Sequence, residues 1–290
     1  MRQTREWRVR DMIHSHGPIL CPGCRKLISS DEDRCPHCGL SHPGRLSKPR
    51  TWLRRYQSAA GWTTAVVNLN IGIYVVSLLL SRSISGLSAD PFSILSPDDN
   101  SLLLLGATGV YPIERLHRWW SLVSANFLHG SLLHIFLNMA AVTQIGPLVF
   151  RQYGFSRTSS IYLLGGAAGF LLSFWAGVVV TIGASASVCG LLGALFYYGC
   201  SRGGPAGRVI VRQMSAAVFM LFIFGMIIPG INNWGHGGGF LAGVCLAFLL
   251  GHEQKRRESR FHRFLGIGCI LATALILVHA LMAGLAGRFI

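Results

Sequence analysis

The chain has 290 residues, is 51% hydrophobic with a mean hydropathy of +0.47, and is only 13% charged. Such values exclude an ordinary water-soluble enzyme, and several apolar stretches approach the roughly 20 residues that a membrane-spanning helix needs. The net charge of +15 invites a nucleic-acid reading, but most Lys and Arg sit at the ends of hydrophobic segments, where the positive-inside rule explains them; nucleic acid is not an expected partner.

Residues 1–58 are polar and basic, ending in Lys48-Pro49-Arg50 and Arg54-Arg55. Within them Cys21-Pro22-Gly23-Cys24 and Cys35-Pro36-His37-Cys38 form two CxxC knuckles ten residues apart. Paired knuckles of this kind suit a closed tetrahedral zinc site. Metal binding would supply folding energy that a segment with few apolar groups lacks. The expectation is a zinc ribbon over about residues 18–42, with structural Zn2+ on Cys21, Cys24, Cys35 and Cys38. Iron in a rubredoxin-like site is the rival metal. A pair of disulfides is the other alternative, disfavoured by the reducing cytoplasm expected for this end of the chain. Cys189, Cys200, Cys245 and Cys269 are scattered through hydrophobic segments and read as small apolar residues.

Hydrophobic helices are expected near residues 61–81, 121–149, 159–180, 185–200, 213–229, 235–251 and 263–284, the fourth being short. The first begins too late and runs too long for a cleaved signal peptide. Arg151 and Arg157 follow the second segment, Arg202, Arg208 and Arg212 the fourth, and Lys255, Arg256, Arg257, Arg260 and Arg263 the sixth. Those loops fall on one side with the basic N-terminus, which is the cytoplasmic side by the positive-inside rule. The loop 82–120, with Asp90, Asp98, Asp99 and Glu114, falls on the other. The fold expected is an all-α polytopic membrane protein preceded by a small cytoplasmic module. The localisation expected is multi-pass in a bacterial inner membrane, with an organelle as the alternative.

The apolar half of the chain contains a polar constellation. Gly183-Ala184-Ser185-Ala186-Ser187 opens one hydrophobic helix, and Asn233-Trp234-Gly235-His236-Gly237-Gly238-Gly239 opens another. His134 and Asn138, four residues apart, share one face of an earlier helix. Ionisable and polar groups inside a bilayer are costly and mark functional sites. Serine becomes nucleophilic when a neighbouring base takes its proton, and histidine suits that task. Asn138, His134 and the N–H groups opening the serine helix are candidate donors to an oxyanion. No Asp or Glu lies between Glu114 and Glu253, so a dyad is expected rather than a triad. The same gap argues against a transporter with a carboxylate relay. Small residues Gly235, Gly239 and Gly243 on one helix, and Ala186, Gly190 and Ala194 on the other, are spaced for close helix contact.

These residues resemble the rhomboid family of intramembrane serine proteases over roughly residues 60–252. The resemblance rests on Gly183-Ala184-Ser185 with Gly190-Leu191-Leu192-Gly193-Ala194, on His236-Gly237-Gly238 with Gly243, and on Phe127-Leu128-His129 with His134 and Asn138-Met139. It implies a rhomboid-like six-helix core over 59–252, with residues 253–290 adding a basic loop and a seventh helix. It also implies Ser185 as nucleophile, His236 as general base, His134 and Asn138 as oxyanion support, and Gly183 keeping the preceding loop close to substrate. Transmembrane proteins cut in or near unwound helices would be the substrates, with no cofactor in catalysis. A protein partner for the ribbon is one role open to that module. The alternative is an inactive relative that binds membrane clients. Three positions depart from the family pattern: Ala186 in place of glycine, Cys189 in place of an aromatic, and Ser121 in place of arginine after Trp119-Trp120.

Overall fold

The computed structural model describes residues 18–21, 23–24, 26–44, 58–83, 93–253 and 258–288. Lys48-Pro49-Arg50, Arg54-Arg55, Asp90 and Lys255-Arg256-Arg257, used above to orient the chain, lie outside them. The chain divides into two compact units, Met1–Gln57 and Ser58–Ile290.

In the first unit β1 (Pro18–Leu20) pairs antiparallel with β2 (Leu27–Ser29), Ile19 facing Ile28. The turn between the strands carries the first pair of cysteines. The second pair follows in a turn closed by Cys35 N–H donating to the Leu40 carbonyl at 2.9 Å. Among the described residues its buried core is Cys21, Ile28 and Cys35, with Ile19, Cys24 and Leu40 against them. A core that small needs a staple.

The second unit is all-α. It begins with α1 (Ala59–Leu80), followed after a loop by the short α2 (Asp99–Leu104), a π-helical turn at Tyr111–Arg115 and α3 (Ser121–Ser124). Then come α4 (Leu132–Trp175), α5 (Ser185–Arg202), α6 (Gly204–Ile227), α7 (Asn233–Leu250) and α8 (Arg260–Arg288). Helices α1, α4, α6 and α8 are long and apolar enough to cross a membrane. Helices α5 and α7 have 18 residues each, about 27 Å of helix, close to the thickness of a hydrocarbon core. Most of their glycines, among them Gly190, Gly193, Gly239 and Gly243, are buried against neighbouring helices. Twelve of the 18 residues of α5 are buried, whereas only Gly207 is buried along α6. The result is a six-helix core plus a seventh helix, with α5 at its centre.

The second and third hydrophobic segments are two helical stretches of α4 that meet directly at a sharp kink, with no loop between them. The break is Gly154, at φ +76° and ψ 179°, a conformation that favours glycine. It opens the backbone ladder, and the freed groups find partners outside the helix. Glu253 N–H donates to the Gln152 carbonyl at 2.8 Å, and Ser156 N–H donates to a Glu258 carboxylate oxygen at 3.1 Å. Arg157, expected as a loop cation, is instead fully buried beside the kink. Its guanidinium lies 3.1 Å from Glu253 and 3.3 Å from His262 Nδ1. His252 and His262 are both 2% exposed and hydrogen-bonded to Ser201 and Ser259 respectively.

Helix α8 packs along the core from end to end. Gly266 lies against Ser156, the His279 ring meets the Trp120 edge at 5.1 Å, and Gly284 lies against Leu80 and Leu105. Trp62 is a packing residue of the core, 4% exposed, and donates from Nε1 to Ser159 Oγ at 3.0 Å.

Candidate active site and metal centre

Three helices of the core, α4, α5 and α7, begin at the same end of the bundle, opposite the Gly154 kink. They are drawn together by small residues. A methyl group on Gly239 or Gly243 of α7 would collide with the carbonyl oxygen of Ala186 or Gly190 on α5. Backbones at such range fix the relative height of the two helices.

Ser185 opens α5 and His236 lies in the first turn of α7. Their side chains meet, with Ser185 Oγ 2.8 Å from His236 Nε2. If the hydroxyl donates, the ring proton sits on Nδ1, which has no hydrogen-bond partner among the described residues. The two side chains are thus within hydrogen-bonding distance, as a serine–histidine pair requires.

Gly183 sits two residues before the serine at φ +124°, a region that side chains rarely adopt. Its N–H donates to the Ala125 carbonyl at 2.9 Å. A β-carbon there would lie 2.7 Å from His134 Nε2 and 3.8 Å from Ser185 Oγ, so glycine also leaves the space in front of the hydroxyl open. His134 enters from the first turn of α4, where Ser131 caps the helix. Its Nδ1 accepts the Gly130 N–H at 3.3 Å, which leaves the proton of the neutral ring on Nε2, the atom facing Gly183. Asn138 is one turn on and 6% exposed; its amide nitrogen donates to the His134 carbonyl at 2.9 Å, leaving one N–H.

Ser185, His236, His134 and Asn138 all line one cavity of about 500 Å3 between α4, α5, α6 and the segment 228–232. Apart from those four its walls are mainly apolar, including Leu137, Ile145, Leu192 and Leu221. The structure thus brings together every residue expected at the site. Asn126 and His129, within the 121–149 stretch expected as one helix, instead precede α4, in and just after a 3-10 turn (Ala125–Phe127). Ser187 is fully buried and its hydroxyl donates to Asn126 Oδ1 at 2.8 Å, so it points away from His236.

The three departures have structural settings. Ser121 is fully buried and donates to Thr108 Oγ1 at 2.9 Å, holding the first loop by a short bond. Ala186 fits in the α5–α7 contact, its methyl in reach of Gly169 on α4. Cys189 is fully buried one turn below the serine, a small apolar filler. Asn232, which the sequence reading passed over, also lies here: it caps α7 and lines the cavity. Its position just before the histidine motif was the available signal.

At the other end of the sequence the sulfur atoms of Cys21, Cys24, Cys35 and Cys38 all lie within 4.8 Å of one another. Cys21 and Cys38 are 3.6 Å apart, and Cys24 and Cys35 are 3.7 Å apart. A tetrahedron of Zn–S bonds near 2.3 Å has edges of about 3.8 Å. The four thiols are free cysteines and their spacing fits a tetrahedral metal ion.

The Rhomboid domain family matches residues 116–253. RHOMBOID-like protein 6, mitochondrial, of Arabidopsis thaliana is 31% identical over 202 residues, 66% of this chain and 64% of the relative. Rhomboid-like protease 3 of Toxoplasma gondii is 28% identical over 242 residues, 79% of this chain and 85% of the relative. Rhomboid protease GluP of Bacillus subtilis is 34% identical over 133 residues, 46% of this chain and 26% of the relative. The match covers 64% and 53% of the lengths of two Arabidopsis relatives, RHOMBOID-like proteins 6 and 4. With its helical core, its membrane-crossing helices and this set of relatives, the chain is an integral membrane protein of the rhomboid family.

Proposed function

We propose that this protein is an intramembrane serine endopeptidase that cleaves transmembrane proteins in or near their spanning helices, using Ser185 and His236. The observation that carries the reading is the 2.8 Å contact between Ser185 Oγ and His236 Nε2 at the wall of an otherwise apolar cavity. In this reading Ser185 Oγ attacks the scissile carbonyl carbon while its proton passes to His236 Nε2. The developing oxyanion takes hydrogen bonds from His134 Nε2–H, from the second amide hydrogen of Asn138 and from the N–H groups that open α5. His236 then gives its proton to the departing amine, and water repeats the sequence on the acyl-enzyme. A substrate helix must unwind to present its carbonyl, because an intact helix hides it in its own hydrogen bonds. The mainly apolar walls suit a segment drawn from lipid.

The same reading makes the four-cysteine module a structural zinc ribbon. Cys21, Cys24, Cys35 and Cys38 would hold the ion as thiolates, and the ion would supply folding energy to a unit with a small described core. The basic ends of the hydrophobic helices favour a cytoplasmic N-terminus. A bacterial inner membrane is the setting proposed; one relative is named as mitochondrial.

The test is fluorophosphonate labelling of the full chain in detergent, with Ser185→Ala and His236→Ala beside it and an active rhomboid as the positive control. Labelling of wild type alone is expected. An unlabelled, folded wild type beside a labelled control would transfer the reading to an inactive rhomboid that binds membrane clients.

A further inference from the structure

Asn232 precedes α7 with an extended backbone, at φ −92° and ψ 91°. Its Oδ1 accepts the Gly235 N–H at 3.0 Å and its carbonyl accepts the His236 N–H at 3.1 Å. An N-cap needs no more than that. The side-chain nitrogen, however, reaches outside the helix. It donates to Ser173 Oγ at 2.8 Å and to Thr181 Oγ1 at 3.0 Å. Ser173, fully buried, is in the last turn of α4 and commits its own proton to the Gly169 carbonyl at 3.0 Å, so its oxygen is the acceptor. Thr181 is four residues before Ser185 and exchanges two backbone bonds with Thr108 of the first loop, at 3.1 and 2.7 Å.

One amide therefore joins three elements: the helix that carries His236, the strand-like segment that leads to Ser185, and the end of α4. Asparagine has one acceptor and two N–H donors, and this site uses all three functions. Serine would cap α7 equally well but is one bond too short to reach both hydroxyls. Aspartate would also cap, and the Thr181 hydroxyl can rotate to donate to it.

We propose that Asn232 is a positioning residue that sets His236 against Ser185 through this three-way tie. The proposal rests on the serine-protease reading above. Asn232 does not contact Ser185 or His236 with its side chain; it acts on them through α7 and the segment 181–185.

The test compares wild type with Asn232→Ser and Asn232→Asp in the full chain, at a temperature where thermal unfolding shows all three folded. Two readouts are taken: kcat and KM on a transmembrane substrate together with the fluorophosphonate labelling rate, and backbone hydrogen exchange of residues 181–185 and 233–236. Misplacing a base by about 1 Å costs on the order of 100-fold. Asn232→Ser should lose about that much in kcat and labelling rate, with KM little changed and exchange faster in both segments. Asn232→Asp should recover most of the loss. If Asn232→Ser matches wild type in kcat and exchange, the residue is only a helix cap and the proposal is overturned. If folded wild type neither labels nor cleaves, the protease reading itself fails and the positioning role falls with it. The wild-type lane therefore separates the two failures.

Discussion

Replacing Gly239 with alanine should disable the site without unfolding the protein. Gly239 lies three residues after His236, against the residue that follows Ser185. A methyl group at 239 would overlap the Ala186 carbonyl oxygen and stand 3.0 Å from its carbon. The obstructing atoms are backbone and cannot rotate away. To restore ordinary contact α7 must retreat from α5 by roughly 1 Å. Overpacking of this kind costs about 1–3 kcal/mol, while alanine favours a helix over glycine by about 1 kcal/mol. The net loss of stability is then no more than about 2 kcal/mol. The retreat carries His236 away from Ser185, and a shift of that size costs on the order of 100-fold, about 2.7 kcal/mol in the barrier. Gly237→Ala is the control, because a methyl there meets nothing within 4 Å. The assay is cleavage of a transmembrane substrate together with serine labelling, with thermal unfolding alongside. Gly239→Ala should unfold within a few degrees of wild type yet react about 100-fold more slowly, and Gly237→Ala should react normally. Wild-type rates in Gly239→Ala would refute the view that backbone contact between α5 and α7 sets the dyad.

Three further outcomes are expected. Cys21→Ser combined with Cys24→Ser should release bound zinc, measured by elemental analysis, while Ser185 still labels, because the cysteines belong to a separate compact unit. Glu253→Ala removes the carboxylate facing a fully buried Arg157. The Glu253 side chain is itself 38% exposed, so the loss should be about 2–3 kcal/mol, below that of a fully buried pair, read by denaturant unfolding. Asp98 caps α2, and although partial burial works to raise its carboxyl, N–H donors from Ser101, Arg82 and Ser83 outweigh it and hold it below the usual carboxylate range. Its stabilising effect is therefore complete above the unfolded carboxyl value near pH 4 and is lost as pH falls through the lower folded value. Hydrogen exchange of residues 98–105, corrected for intrinsic rates, should accelerate through that acid range in wild type and not in Asp98→Asn.

Much of the site was legible because its signals are local. A serine after Gly183-Ala184 and a histidine before two glycines are recognisable within a few residues, and a CxxC pair is recognisable by spacing alone. Less legible were residues whose role depends on distant partners. Arg157 reads as a loop cation beside other basic residues, and only Glu253, 96 positions later, pairs with its buried guanidinium. Ser187 shares the local run with Ser185, and only Asn126, 61 positions earlier, takes its hydroxyl elsewhere. Asn232 reads as ordinary helix-start chemistry, since its bonds to Ser173 and Thr181 span 59 and 51 positions.

Sequence by itself determined the approximate places of the hydrophobic helices, the four cysteines spaced for a metal ion and the residue types at the candidate site. These follow from local apolar length, spacing and the need to avoid uncompensated polar groups in lipid. Tertiary structure alone decided that the second and third spans meet at a sharp break at Gly154 without a loop, where Glu253 and Glu258 take up the freed backbone groups. It also decided which hydroxyl meets His236 and which way the His134 ring presents its proton. Those outcomes depend on how closely α4, α5 and α7 approach, and that approach is set by backbone contacts between glycines far apart in the chain.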